Sequence, residues 1–266
     1  LELIDQGKAD GEIEFCATMQ ELESKLSAGW ADRGPLMVHT RPMNLHVSKL
    51  TQRSVSTDPA FGEFHPAAAA AVQRIDGCFG RFIDFLKDKR LYDNSIVIFT
   101  SDHGDSLGEA NRWGHSSTIF PEIVRVPLLI HVPARMRERF TADLDAASYS
   151  TDLTPSIYAL LGYTPEAHDW PQGRSLFVEP GVDTTWRKTE PAFIASSYGP
   201  VYGVLRDNGQ VLYIADGVNS RDYAYDLSAL KPVRIGVTAA MRQDDRSLIH
   251  EKLAMLASLY HFTPKP

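Results

Sequence analysis

The stretch IVIFTSDHGDSLGE at residues 96–109 decides the fold. Its first five residues are β-branched or aromatic, a run typical of a strand covered on both faces. Ser-Asp-His-Gly follows at once, and ligands of open α/β sheets bind at the carboxyl ends of strands. Asp102 and His103 can converge on one cation after a turn at Gly104, forming half of a divalent-metal site. A turn-capping Asp102 and a solvated His103 explain this spacing equally well.

Strands and helices alternate on both sides of this stretch. The spacing of apolar residues predicts a long helix over residues 66–86, which we expect to lie across a sheet. Buried strands are predicted at residues 35–38 and 126–132, and a further helix at residues 151–162. This alternation indicates an α/β fold with a mostly parallel central sheet.

The pattern changes near Phe193 to short strands with alternating polarity. They are predicted at residues 193–196, 201–206 and 210–215, with a turn at Asn208-Gly209. A final helix is expected to pack on this small antiparallel sheet through the residues Leu248, Ile249, Leu253, Leu256 and Tyr260. We therefore divide the chain into an α/β domain at residues 1–190 and an antiparallel sheet plus helix at residues 191–266.

Composition excludes some classes of protein. The 266 residues carry a formal net charge of -7, which disfavours a general nucleic-acid-binding role. The longest apolar runs fall far short of the roughly 20 residues that span a bilayer, so we expect no transmembrane segment. The two cysteines, Cys16 and Cys78, each lack a nearby cysteine in the sequence. This argues against a disulfide framework or a thiolate metal site and leaves the redox compartment open.

Several motifs together resemble the sulfatase family of the alkaline phosphatase superfamily, which includes phosphonate monoester hydrolases and phosphoglycerol transferases. The matching strings are YDNSIVIFTSDHGDSLGE, WGHSSTIFPEIVRVPLLIHVP, STDLTPSIYALLGY, PQGRSL and YAYDLSALKP. The resemblance extends from about Leu36 to the end of the chain. It implies an alkaline-phosphatase-like α/β sandwich with a small C-terminal antiparallel subdomain.

The resemblance also implies roles for individual residues. Asp102 and His103 occupy the places of two ligands of the family's catalytic metal. His115, in WGHSS, stands where many members have a lysine that contacts the sulfate or phosphate oxygens. His46, in VHTRPMNLHV, resembles a histidine that faces the leaving group, although Asn-Leu replaces the usual Asp-Pro before it. On sequence alone, both histidines are equally well explained as solvated loop residues.

The metal expected at Asp102 and His103 is a divalent cation. Relatives with Asp-Asn at these positions bind Ca²⁺ through oxygen ligands, whereas an imidazole nitrogen suits Mn²⁺ or Zn²⁺ better. We therefore expect Mn²⁺ or Zn²⁺ to be favoured, with Ca²⁺ as the alternative.

The nucleophile motif of the family, Cys-x-Pro-x-Arg or its Ser or Thr equivalents, does not occur in the sequence. Cys16 precedes Ala-Thr-Met-Gln and Cys78 precedes Phe-Gly-Arg. Because the chain also starts at Leu1, we expect it to be the C-terminal part of a catalytic domain whose N-terminal half lies upstream. This fragment alone would be inactive.

The expected substrate of the complete enzyme is a small sulfate or phosphate ester, hydrolysed with the help of the metal. Many members of the family act outside the cytoplasm, which favours an extracytoplasmic location. Two alternatives stay open: a catalytically inactive sulfatase-like binding or structural domain, and a membrane-linked phosphoglycerol or phosphoethanolamine transferase domain.

Overall fold

A computed structural model describes residues 14–42, 45–46, 50, 65–115, 118–163 and 173–260. These residues fall into two compact units. The first comprises the described residues within Leu1–Val97, Asp105–Gly114 and His131–Pro133, and the second comprises those within Ile98–Gly104, His115–Ile130 and Ala134–Pro266. Among the helices of the described segments, none is both long and apolar enough to cross a membrane.

Two helices that pack on each other form most of the first unit. They are α1 (Phe15–Ser27) and α2 (Pro66–Asp88). Proline occupies the first position of α2, where its missing N–H costs no hydrogen bond, and a run of alanines follows it. Phe15 and Met19 are buried, and the Phe15 ring meets the edge of Phe79 at 6.4 Å between centroids. The predicted long helix is confirmed, and the described partner of its apolar face is α1.

A disulfide joins Cys16 of α1 to Cys78 of α2, with the two Cα atoms 5.4 Å apart. The sequence-based argument against a disulfide was therefore wrong. It relied on closeness along the chain, whereas the two cysteines are 62 residues apart in sequence and are brought together by helix packing.

The strand predicted at residues 35–38 is absent from the described structure, where these residues form irregular backbone. Leu36, Met37 and Val38 are 41%, 68% and 50% exposed. An apolar run becomes a buried strand only when a neighbouring strand accepts its hydrogen bonds, and periodicity alone does not supply that neighbour.

The first unit also contains a short hairpin of β2 (Ser106–Leu107) and β3 (Trp113–Gly114). Glu109 stabilises the turn, because its Oε2 accepts a hydrogen bond of 2.5 Å from the Leu107 backbone N–H. Glu109 therefore holds this turn through its side chain.

Strand β1 (Val97–Thr100) pairs with β4 (Leu128–His131) in a two-stranded sheet. Most residues of both strands belong to the second unit. The expectation that both faces of the strand ending at Thr100 would be covered is not met among the described residues, because every residue of β1 is half-buried or exposed. The strand predicted as buried at residues 126–132 is also partly open, because Leu129 is 60% exposed. Short helices follow in this unit, namely α3 (Pro121–Val124), α4 (Ala134–Arg137), α5 (Leu153–Leu161) and α6 (Trp186–Thr189).

A five-stranded antiparallel sheet forms the C-terminal part of the second unit, with its strands in sequence order. They are β5 (Ala192–Ala195), β6 (Val201–Arg206), β7 (Val211–Asp216), β8 (Arg221–Asp226) and β9 (Val233–Ile235). The three predicted strands are confirmed to within one residue at each end, and the sheet adds β8 and β9.

The last helix, α7 (Ala239–Leu259), packs on this sheet. Ile249 is 4% exposed and contacts Val204 and Tyr213, which are fully buried. Leu248 and Leu253 pack around this cluster as expected. Tyr260 was predicted on the same side but follows the helix end and is 75% exposed.

Asp222 on β8 ties α7 to the sheet by two ion pairs. Its side chain is 5% exposed and accepts hydrogen bonds from Arg242 Nε at 2.6 Å and Arg246 Nη2 at 2.8 Å. Burial alone would raise the pKa of the Asp222 carboxyl, but the bonds from Arg246 and Arg242 hold that pKa below its ordinary value.

Replacing Asp222 by asparagine should therefore reduce stability in a pH-dependent way. The pKa of Asp222 is lower in the folded state than in the unfolded chain. Its charged carboxylate therefore stabilises the fold at pH values above the unfolded-state pKa, and this stabilisation is lost as the pH falls through the folded-state pKa. We expect D222N to lower the free energy of unfolding by about 1.5 kcal/mol at neutral pH. Urea unfolding should show this difference vanishing in acid. An equal difference at both pH values would contradict the prediction.

Candidate metal and oxyanion site

The candidate site begins at the end of β1. Thr100 Oγ1 donates a hydrogen bond of 2.9 Å to the Pro127 carbonyl, which ties the strand end to the start of β4. Ser101 Oγ donates to the His103 carbonyl at 2.5 Å and tightens the loop that follows. Asp102 and His103 thus project from a loop whose backbone is held on both sides.

Gly104 is required by its surroundings. Its backbone N–H donates to the Ile123 carbonyl of α3 at 2.8 Å. A Cβ atom at this position would overlap the carbonyl oxygen of Glu122 and lie 3.2 Å from its carbonyl carbon. The close approach to α3 therefore excludes any side chain here, and it fixes the backbone that carries His103.

Asp102 and His103 are both accessible. Their side chains are 60% and 34% exposed, and Asp102 Oδ1 lies 3.9 Å from His103 Nε2. The same Oδ1 accepts a hydrogen bond of 3.1 Å from the His103 backbone N–H. His103 Nδ1 lies 2.9 Å from the Gly104 carbonyl oxygen. In the tautomer with its proton on Nδ1, His103 donates a hydrogen bond to that oxygen, and the lone pair of Nε2 is left to bind a metal.

His115 lies beside His103 within the second unit. The ring centroids are 3.9 Å apart with the planes inclined by 33°, and the two imidazoles place ring nitrogens within 4.8 Å of each other. Metal–nitrogen bonds of about 2.0–2.1 Å allow two ligands of one ion to lie roughly 4 Å apart or less. The imidazoles of His103 and His115 are therefore close enough to ligate one divalent metal, or to hold a metal with an anion beside it.

Of the four residues that the sequence singled out, the structure brings His103 and His115 together, and Asp102 contacts His103, its neighbour in sequence. His46 is a half-buried residue at a bend of the first unit. Its role at the leaving group, like the ligand and substrate roles of the other three, stays a prediction.

Tyr198 is a neighbour of the site that sequence reasoning missed. It lies in the loop between β5 and β6, is 62% exposed, and its ring centroid is 6.3 Å from that of His115. No motif marks it, since a tyrosine in a loop is common. Only the folding of the small sheet places it near His115.

Comparison with known families defines the class of protein. The Sulfatase family profile matches residues 19–163, more than half of the chain. The chain belongs to the sulfatase family, whose fold is that of the alkaline phosphatase superfamily.

Two curated relatives show how far the similarity extends. The multifunctional alkaline phosphatase superfamily protein PehA of Trinickia caryophylli is 35% identical over 119 residues, which are 44% of this chain and 22% of PehA. The choline-sulfatase of Rhizobium meliloti is 32% identical over 152 residues, which are 55% of this chain and 28% of that enzyme. The chain therefore spans only part of the length of these relatives.

Solved structures agree on the fold. The yidJ sulfatase-family protein of Bacteroides fragilis superposes with a TM-score of 0.55 at 17% identity, covering 80% of this chain and 51% of that one. The mixed α/β architecture with a C-terminal antiparallel sheet is thus that of sulfatases with an alkaline-phosphatase-like fold.

Proposed function

We propose that this chain supplies half of the active site of a metal-dependent hydrolase that acts on sulfate or phosphate esters. One observation carries the proposal: in a chain of the sulfatase family, Asp102 and His103 lie in the loop that follows β1, and the ring centroid of His115 lies 3.9 Å from that of His103. The two neighbouring imidazoles and the adjoining Asp102 carboxylate are accessible donors of the kinds that metal and oxyanion binding use.

Each side chain has a proposed task. Asp102 and His103 Nε2 would hold a divalent metal, which when bound polarises the ester oxygen and activates a nucleophile. His115 would donate a hydrogen bond to a peripheral sulfate or phosphate oxygen, so that charge developing on that oxygen is stabilised. His46 is proposed to face the leaving group. The imidazole of His103 favours Mn²⁺ or Zn²⁺ over Ca²⁺.

The nucleophile is proposed to come from a segment outside the printed sequence. The family's Cys-x-Pro-x-Arg pattern does not occur in the 266 residues. This is consistent with the partial coverage of the relatives, which suggests that the N-terminal half of the same catalytic domain is the partner of this chain.

The proposed substrate is a small sulfate or phosphate ester, since one relative is named a choline-sulfatase and another a multifunctional phosphatase-superfamily protein. We further propose that the protein acts outside the cytoplasm. The Cys16–Cys78 disulfide supports that location, because such bonds persist in oxidising compartments.

The proposal is tested by turnover of p-nitrophenyl sulfate, p-nitrophenyl phosphate and p-nitrophenyl phenylphosphonate. The 266-residue chain should show no turnover above its Asp102→Ala variant, whereas the longer gene product should hydrolyse at least one ester after chelation and reloading with Mn²⁺ or Zn²⁺. In that product, His103→Asn should shift the preference toward Ca²⁺ by roughly tenfold in affinity.

Turnover by the 266-residue chain itself would overturn the proposal that the nucleophile comes from outside this sequence. A longer product that is inactive with every metal would overturn the hydrolase assignment and favour a binding domain. An unchanged metal preference in His103→Asn would remove His103 from the ligand set.

A further inference from the structure

An open groove runs between α1 and α2, and the disulfide forms part of its lining. Cys16 and Glu23 contribute from α1, while Cys78, Arg81 and Asp84 contribute from α2. The disulfide is therefore reachable from solvent rather than sealed between the helices. A small molecule that enters this groove meets the two sulfur atoms.

The two sulfurs differ in access. Cys78 is only 4% exposed, whereas Cys16 is half-buried and lies near the start of α1. A nucleophile approaching through the groove therefore reaches Cys16 more readily than Cys78.

The two sulfurs also differ in their electrostatic surroundings. Arg81 Nη2 donates a hydrogen bond of 3.0 Å to Cys78 Sγ. A guanidinium in that position stabilises a thiolate on Cys78, and thiol–disulfide exchange is faster when the departing sulfur is the better-stabilised thiolate. The greater access to Cys16 and the greater stability of a Cys78 thiolate thus both favour attack on Cys16 with Cys78 as the leaving group.

We propose that Cys16 is a modification site for low-molecular-weight thiols. The thiolate of the incoming molecule attacks Cys16 Sγ and forms a new sulfur–sulfur bond. The Cys16–Cys78 bond breaks, and its electron pair stays on Cys78 Sγ, which leaves as a thiolate beside Arg81. The proton lost by the incoming thiol is balanced by the proton that Cys78 later takes up. No external oxidant is needed, and attack by Cys78 on the mixed disulfide restores the original bond.

The groove also selects among thiols by charge. Its lining carries three carboxylates, Glu23, Asp84 and Asp88, against the single guanidinium of Arg81. A cationic thiol is therefore attracted and an anionic one repelled at low ionic strength. The preferred ligand class is a small aminothiol.

The first test locates the adduct. The oxidised chain is treated briefly with cysteamine, quenched in acid, and digested under non-reducing conditions for mass spectrometry. We expect the cysteamine adduct on Cys16 and a free thiol on Cys78. An adduct on Cys78, or two free cysteines in the untreated chain, would overturn the proposal.

The second test measures rates in Arg81→Gln and in the matched control Lys89→Gln, which removes a cation from the end of the same helix. With the neutral thiol 2-mercaptoethanol, R81Q should react roughly three- to tenfold more slowly than the wild type, and K89Q at the wild-type rate. Equal rates in the two variants would exclude stabilisation by Arg81.

The third test compares cysteamine, 2-mercaptoethanol and 2-mercaptoethanesulfonate, each rate divided by that thiol's rate with an uncharged small disulfide. We expect the normalised rates to fall in that order at low salt and to converge at high salt. Equal normalised rates for the three thiols at low salt would contradict selection of thiols by the charge of the groove. These outcomes are independent of whether the longer protein hydrolyses esters.

Discussion

Replacing Arg187 by methionine should destabilise the chain by about 3–5 kcal/mol, because it leaves the carboxylate of Asp152 buried without its cation. The side chains of Arg187 and Asp152 are only 6% and 5% exposed, and Arg187 Nη2 donates to Asp152 Oδ2 at 2.8 Å. Two backbone N–H groups, of Tyr149 and Arg174, donate to the same carboxylate at 3.1 and 2.9 Å. They satisfy lone pairs of the carboxylate but do not neutralise its charge.

The next residue offers a matched control. Lys188 also forms an ion pair, with Asp143 at 3.1 Å, but the lysine side chain is 39% exposed. Lys188→Met should cost at most about 1 kcal/mol, as exposed pairs do. Guanidinium unfolding of both variants measures the difference. If R187M were no less stable than K188M, the pair with Asp152 would not be a main support of this region.

Replacing Gly104 by alanine should cost about 2–3 kcal/mol, since the added Cβ cannot be accommodated against the Glu122 carbonyl without moving backbone. The loop would have to shift away from α3 and lose the hydrogen bond from Gly104 to Ile123. Because the same loop carries Asp102 and His103, we expect affinity for the proposed metal to fall by roughly tenfold or more.

Gly80 provides the comparison for this substitution. It lies inside α2, and a Cβ there would have no heavy atom within 4 Å. Gly80→Ala should therefore stabilise the chain by about 0.5–1 kcal/mol through helix propensity. Thermal unfolding of both variants gives the sign of each effect. A G104A protein as stable as the wild type would show that the loop can relax, and it would weaken the argument that Gly104 positions the site.

Local patterns predicted the elements well where the partner of each residue is close along the chain. The helix ending before Gly162 and the hairpin around Asn208-Gly209 both depend on interactions within a few residues. Gly162 adopts a φ of 72°, which a glycine tolerates at a helix end. Residues 35–38 have the same apolar character as a strand, but the described chain supplies no pairing partner for them.

The sequence of β1 and the loop after it is enough to place a carboxylate and an imidazole at a strand end. The motifs around this stretch are enough to assign the family. Folding alone decides which distant groups meet. The ring of His115 lies beside that of His103, Arg187 neutralises Asp152 across 35 residues, and Cys16 bonds to Cys78 across 62. The physical reason is range: backbone propensities act over a few residues, whereas such contacts depend on how whole helices and strands pack.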